Sequence, residues 1–163
     1  MAEKRIRRER FSVLVSHMPD TKRPVFEPWL SKLKETANQA DENTFLVGHS
    51  LGCITMLRFL EGLGDGEKGG GAVLVAGFTD NLGYKEIDSF FWKPIGWDNI
   101  KQHCKRFVVI HSDNDPYVPL KHGHIFEEKL GARLIVKKGQ KHFSGSEGKK
   151  ELPVALESVL EMQ

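Results

Sequence analysis

The segment 44–57 constrains the fold of this chain more than any other stretch of its sequence. An apolar run, Phe45 to Val47, leads into Gly48-His-Ser50-Leu-Gly52, and the apolar residues that follow recur at helical spacing. A strand that passes into a helix through so short a turn holds its central residue in a strained conformation. The sequence therefore predicts a strand, a sharp turn at Ser50 and a helix, with small residues required at Gly48 and Gly52.

This turn also has a chemical interpretation, the nucleophile elbow. It would deliver the Ser50 hydroxyl to the carboxyl end of a strand and beside a helix N-terminus, where free N–H groups favour negative charge. The backbone N–H of Leu51 would then stabilise a developing oxyanion. The alternative is an ordinary turn between a strand and a helix, since a Gly-x-Ser-x-Gly pattern also arises by chance. An acid and then a histidine, following in chain order, would favour the catalytic interpretation.

Apolar patterning along the rest of the chain alternates between the strand and helix periods. Strands are predicted at 11–16, 45–47, 72–76, 107–111 and 132–136, and helices at 26–37, 51–60, 97–105, 119–130 and 152–162. This alternation predicts an α/β fold, a mostly parallel sheet with helices on both faces. We expect one domain over residues 1–163, in which the basic residues 1–10 form a frayed N-terminus.

Composition narrows the function classes. A formal net charge of +2 over 163 residues gives no electrostatic reason to bind nucleic acid or an anionic membrane. We find no apolar run long enough for a membrane span and no apolar core of a signal peptide. Cys53 and Cys104 lack the spacing of a metal site or a redox pair, which fits a reducing, cytoplasmic setting. We expect a small-molecule substrate, with no nucleic-acid or membrane partner, no metal and no cofactor.

Two later loops carry the acid and the histidine. Asp113 and Asp115 follow the predicted strand 107–111, and His142 follows the strand 132–136. Because the carboxyl ends of parallel strands meet at one edge of a sheet, both loops are expected near the serine. His142 would act as general base, and an aspartate would hold its tautomer and stabilise its charge. Asp115 is preferred because a proline turn follows it, whereas Asp113 is better placed to brace the loop; either could instead simply cap a turn or a helix.

Other residues are candidates for binding or for packing alone. Phe78 and Trp92 belong to an irregular aromatic segment that leaves the carboxyl edge of the sheet, where they would line an apolar pocket or pack in the core. His49, beside the serine, is also a candidate binding residue, although packing is its expected role. His122 and His124 do not share a helix face and make a poor metal pair.

Five short motifs together resemble those of the YdeN-like small serine hydrolases, a family that includes retinoblastoma-binding hydrolases. The motifs are Val13-Leu-Val, Met18-Pro-Asp-Thr, Leu46-Val-Gly-His-Ser-Leu-Gly-Cys, Asp113-Asn-Asp-Pro-Tyr-Val-Pro and Gly139-x-x-His-Phe. The resemblance runs from about Phe11 to the C-terminus. It implies an α/β-hydrolase fold without a large lid, a triad of Ser50, Asp115 and His142, and hydrolysis of a small ester or amide.

The resemblance departs at the start of the chain. Members of that family begin with an additional strand, and the loop after it supplies one oxyanion-hole N–H. In their sheet, this strand lies between the strands that match residues 11–16 and 45–47. We therefore expect an N-terminally shortened sheet, and a missing donor typically costs on the order of 10²–10³ in rate.

The leading hypothesis is a serine hydrolase that forms an acyl-enzyme on Ser50 with a small ester, amide or thioester. The alternative is a weakened or inactive hydrolase-like protein that binds a protein partner. A nucleotide-binding domain ranks last, because no phosphate-binding glycine fingerprint follows the first strand.

Overall fold

The computed structural model describes residues 11–38 and 40–163, and these residues form four β-strands and five α-helices. The elements are α1 (Phe26–Thr36), β1 (Phe45–His49), α2 (Leu51–Glu61), β2 (Gly71–Val75), α3 (Trp97–His103), β3 (Phe107–Ser112), α4 (Lys121–Leu130), β4 (Arg133–Lys137) and α5 (Pro153–Glu161). Two short 3₁₀ helices, Lys85–Phe90 and Gly145–Glu147, lie in the loops after β2 and β4.

The four strands form one parallel sheet in the order β1-β2-β3-β4. In register, Val47 pairs with Val73, Val73 with Val108, and Val109 with Leu134. Because every strand runs in the same direction, the loops that follow them all leave from one edge. The loops that carry Ser50, the two aspartates and His142 therefore begin close together at this edge.

The middle of the sheet is buried on both faces. Every residue of β2 and β3 is buried, as their continuous apolar sequences predict. On one face Leu74 and Val109 belong to the main core together with residues of α1 to α4, including Leu57 and Phe126. On the other face a smaller cluster joins Val108 to α5. The predicted α/β architecture, with helices on both faces, is confirmed.

The strand predicted at 11–16 is wrong. These residues have no regular secondary structure, and Leu14 and Val15 are 69% and 68% exposed. A strand exists only through pairing, and β1 is the edge strand of the sheet, with no described strand on its outer side. The segment instead contacts α1, where the Ser16 hydroxyl donates to Thr36 Oγ1 at 2.9 Å. The predicted fraying of residues 1–10 lies outside the described residues.

The amphipathic pattern of residues 26–37 predicts a helix that covers the sheet. Helix α1 instead packs chiefly against α2 and the 3₁₀ helix Lys85–Phe90. The rings of Phe26 and Trp29 meet Phe90 edge to face, with centroids 5.7 and 5.5 Å apart. As a result α2 is enclosed between α1, α3 and the sheet.

That enclosure explains a second difference from expectation, at Arg58 on α2. The helical pattern places Arg58 outward, but it is 3% exposed. Its guanidinium pairs with Glu61 at 2.8 Å and donates to the backbone carbonyls of Lys93 and Pro94. Arg58 thus anchors the aromatic segment after β2. Among residues 11–38 and 40–163, no helix has both the length and the apolar character needed to cross a membrane.

Candidate active site

Ser50 lies at the turn between β1 and α2 in a strained conformation with positive φ, at φ 53° and ψ −121°. A positive φ is uncommon for a residue with a side chain and costs about 1–3 kcal/mol, so the surrounding structure must maintain it. The Ser50 N–H donates to the Val75 carbonyl at 2.8 Å, and the Ser50 carbonyl accepts from the Cys53 N–H at 3.0 Å. The end of β2 and the first turn of α2 therefore hold the serine in place.

The two glycines that flank the turn differ. A Cβ at Gly48 would lie 3.0 Å from the backbone nitrogen of Cys53 and from backbone atoms of Gly52, so the strand and the helix leave no room for a side chain. A Cβ at Gly52 would meet nothing within 4 Å. The sequence-based requirement for a small residue therefore holds at Gly48 and is wrong at Gly52, because the closest approach of strand and helix occurs on one side only.

The structure brings together the three residues expected to form the triad. His142 Nε2 lies 3.0 Å from Ser50 Oγ, and His142 Nδ1 lies 2.8 Å from Asp115 Oδ2. The Asp115 and His142 side chains are only 1% and 12% exposed. The second carboxylate oxygen of Asp115 accepts the N–H groups of Tyr117 and Val118 at 2.8 and 3.0 Å. With Nδ1–H donating to the carboxylate, the free electron pair of Nε2 faces the serine hydroxyl.

The main chain of His142 is held from both sides. Its N–H donates to Glu147 Oε2 at 3.0 Å, and its carbonyl accepts from His49 Nε2 at 2.7 Å. Desolvation lowers the pKa of His49, which favours a neutral ring. His49 therefore does more than pack, the role expected from the sequence. Glu147 escaped the sequence analysis, although Ser144-x-x-Glu147 is the pattern of a capping box, which the structure contains.

The structure separates the two candidate acids. Asp115 contacts the imidazole, whereas Asp113 Oδ1 accepts the backbone N–H of Gly139 at 2.8 Å. Asp113 thus ties the loop after β3 to the loop after β4. This agrees with the sequence analysis, in which Asp113 is the acid better placed to brace the loop.

An open cleft of about 450 Å³ adjoins Ser50 and His142. Most of the side chains that line it are apolar, including those of Leu51, Phe78, Leu82, Ile87 and Val118. Leu51 and Phe78 are expected binding residues that lie in this lining, whereas no sequence pattern points to Leu82 or Ile87.

The other two expected binding residues, His49 and Trp92, are not among the lining residues. Trp92 is 64% exposed, and the Lys93 ammonium lies 5.3 Å from its ring centroid. Segment 78–97 leaves the sheet edge as predicted. Phe78, shortly after β2, and Ile87, in the 3₁₀ helix, line the cleft, whereas Trp92, which follows that helix, lies in solvent.

Two buried histidines lie beneath the site. His122 Nδ1 accepts the N–H of Thr79 at 3.2 Å, which fixes the segment that carries Phe78. His111 is 0% exposed, and neither of its ring nitrogens has a hydrogen-bond partner among the described residues. Burial lowers the pKa of His111 to about 4. Within residues 11–38 and 40–163, no group of three or more His, Cys, Asp or Glu side chains is placed to hold a metal ion.

Comparison with known proteins identifies relatives of this chain. A protein family described as "Serine hydrolase" matches residues 5–161. YdeN of Bacillus subtilis strain 168, whose name describes it as a hydrolase, is 34% identical over 141 residues, which are 86% of this chain and 74% of YdeN. The serine hydrolase RBBP9 of Rattus norvegicus is 30% identical over 139 residues, 84% of this chain and 72% of the relative.

A solved structure shows the same fold. The crystal structure of the ydeN gene product from B. subtilis superimposes with a TM-score of 0.93 at 31% sequence identity. The superposition covers 99% of this chain and 87% of that chain. The sheet and the loops that carry the site residues therefore lie within the matched part.

Proposed function

Because this chain belongs to the serine hydrolase family, we propose that it cleaves a small carboxylic ester, amide or thioester through an acyl-enzyme on Ser50. One observation carries this proposal: the His142 ring lies between Ser50 Oγ and Asp115 Oδ2, at 3.0 and 2.8 Å. A serine, a base and an acid in this order and geometry are the parts that acyl transfer requires.

In this scheme, Ser50 Oγ attacks the substrate carbonyl while its proton passes to His142 Nε2. Asp115 keeps the proton on Nδ1 and stabilises the imidazolium. The Leu51 N–H, in the first turn of α2 without an intrahelical acceptor, donates to the oxyanion. His142 then protonates the leaving group as the tetrahedral intermediate collapses to the acyl-enzyme. A water molecule, deprotonated by the same imidazole, attacks the ester, and the imidazolium returns the proton to Ser50 Oγ as the acid is released.

The cleft indicates the kind of acyl group. Its lining beside Ser50 is formed largely by Leu51, Phe78, Leu82 and Ile87, and Glu86 is the acidic residue in it. Apolar walls favour an acyl chain of several carbons over a charged one, at roughly 0.8 kcal/mol for each buried methylene. We propose esters of short to medium apolar acids as the substrate class.

Labelling with a fluorophosphonate probe tests this function, because the probe phosphonylates only an activated serine. The wild type is expected to be labelled, and the Ser50→Ala variant is not. His142→Ala keeps the hydroxyl but removes the base, and should label far more slowly. Equal labelling of wild type and Ser50→Ala would contradict the proposal.

A second candidate is a protein-binding module with little or no catalytic activity. It is favoured by the outer edge of β1, where Val47 is 57% exposed and no described strand pairs. On the resemblance described above, a second oxyanion donor would come from that side of the sheet. Turnover of p-nitrophenyl esters by the wild type that disappears in His142→Ala would argue strongly against this candidate.

A further inference from the structure

We propose that Asn114 is a positioning residue. It holds the loop that carries His142 in a fixed position against the loop that carries Asp115. The inference rests on the proposed function, because it concerns the placement of the general base. Asn114 lies next to Asp115, and within the described part of the chain its side chain makes no hydrogen bond to Ser50 or to the imidazole. Its effect on the reaction therefore passes through another residue.

The observation is a short chain of hydrogen bonds with a single consistent direction. The Gln140 N–H donates to Ser112 Oγ at 2.9 Å, and the Ser112 hydroxyl donates to Asn114 Oδ1 at 2.8 Å. The same Oδ1 also accepts the Lys141 N–H at 2.8 Å. Since a backbone N–H can only donate, the oxygen of the Asn114 amide must face this point. Ser112 is 1% exposed, so water competes little for its hydroxyl.

The loop needs such restraint because its backbone is strained on both sides of the histidine. Lys141 has φ 50° and Phe143 has φ 55°, both in the left-handed region, although neither is a glycine. Such conformations persist only where surrounding contacts impose them. The bond to Asn114 acts on Lys141, the residue directly before His142. Without it, we expect Lys141 to relax and the imidazole to shift relative to Ser50.

The position requires an acceptor, and an aspartate can supply one of the same shape. Asn114→Asp keeps Oδ1 where the Ser112 hydroxyl and the Lys141 N–H need it, whereas Asn114→Leu has the same branching at Cγ and the same number of side-chain heavy atoms but accepts nothing. The pair therefore separates hydrogen bonding from packing. Gln140→Ala is a matched control on the same loop, because among the residues that the structure describes the Gln140 side chain bonds only the Lys138 carbonyl, and the backbone N–H remains.

The experiment measures kcat and KM for p-nitrophenyl butyrate, with the melting temperature of each variant. Asn114→Leu is expected to lower kcat about tenfold with little change in KM, since a displaced base weakens chemistry more than binding. Asn114→Asp should recover most of the lost kcat, and Gln140→Ala should match the wild type. Unchanged kcat in Asn114→Leu, or equal loss in Asn114→Asp, would overturn the proposal.

A double-mutant cycle provides a second test that does not depend on one variant. Ser112→Ala removes the hydroxyl in the middle of the chain, so its effect and that of Asn114→Leu should be strongly non-additive. Additive effects would contradict a shared network. Failure of the proposed function looks different, because the wild type itself would then turn over no ester and would not react with a fluorophosphonate at Ser50.

Discussion

Asp115 Oδ2 lies 2.8 Å from Nδ1 of His142, while the carboxylate of Asp113, two residues earlier in the same loop, accepts the backbone N–H of Gly139. The same loop thus presents one carboxylate to the imidazole and another to the main chain. This division separates an electrostatic role from a structural one.

Amide substitutions at the two acids should therefore differ in effect. Asp115→Asn removes the charge that stabilises the imidazolium and disturbs the tautomer, so we expect kcat to fall on the order of 10³–10⁴-fold. Asp113→Asn retains an acceptor oxygen for Gly139, and its kcat should fall less than about tenfold. Steady-state kinetics with a p-nitrophenyl ester measure both. The reverse order would assign the acid role to Asp113.

Alanine substitutions at the two glycines of the turn test the backbone geometry. Gly48→Ala places a methyl group 3.0 Å from backbone atoms of Cys53 and Gly52, so either the strand or the helix must move. We expect it to be destabilised by about 1–3 kcal/mol, in line with overpacked sites, and to lose activity.

Gly52→Ala is the matched control, because its methyl group meets nothing within 4 Å and lies in the first turn of α2. Alanine inside a helix is roughly 0.5–1 kcal/mol more favourable than glycine, so stability should hold or rise. Urea denaturation compares the two variants. A Gly48→Ala protein as stable as the wild type would show that the close approach at the turn is not required.

Stability should fall with acidification because of the buried His111. Its pKa is about 4 in the folded protein against 6.5 as the ordinary value. Between these two values the unfolded chain binds the proton and the folded one does not, so stability is lost as pH falls through this range. The shift corresponds to a loss on the order of 3 kcal/mol, complete below about pH 4.

A variant at this position isolates its contribution. His111→Leu has a similar volume and cannot titrate, so its unfolding free energy should depend less on pH between 7.5 and 4.5 than that of the wild type. At pH 7.5 the variant should be at least as stable, because the two unpartnered ring nitrogens are removed. Chemical denaturation at both pH values measures the difference, and parallel pH dependence in both proteins would exclude His111 as the source.

The apolar cleft predicts a preference for longer acyl chains. From p-nitrophenyl acetate to the hexanoate, kcat/KM should rise by up to about fourfold for each added methylene that the cleft buries. Ile87→Trp fills part of the lining and should abolish this rise while leaving the acetate nearly unaffected. A flat series in the wild type would show that the acyl chain does not occupy this cleft.

The sequence predicted the sheet well because its signals are local. Buried parallel strands such as β2 and β3 are continuous apolar runs, and loops at their ends converge by topology alone. The prediction of a strand at 11–16 is wrong because an apolar pattern is a local signal. A strand also needs a neighbouring strand to pair with, and the local pattern does not show whether one is there. Likewise the burial of Arg58 depends on α1 and the aromatic segment packing around α2, which no periodicity within α2 reveals.

The candidate site, too, is predictable from the sequence only where the signal is local. Chain order and strand context were enough to nominate Ser50, Asp115 and His142, which the structure places within hydrogen-bonding distance. The residues that hold His142 by its main chain, His49 and Glu147, have no long-range signal in the sequence, because their contacts depend on how two loops meet. Trp92 is predicted from its place in an aromatic segment that leaves the sheet edge, but that place does not show which aromatic side chains face the cleft, and Trp92 is exposed.

The most direct test is to trap the acyl-enzyme. The wild type is mixed with p-nitrophenyl hexanoate and quenched in acid within the first turnover, and the peptide that carries Ser50 is examined by tandem mass spectrometry. We predict a mass increase of one hexanoyl group located on Ser50, and none in the Ser50→Ala protein. Ester turnover without any acyl group on Ser50, or with the group on another residue, would contradict the account.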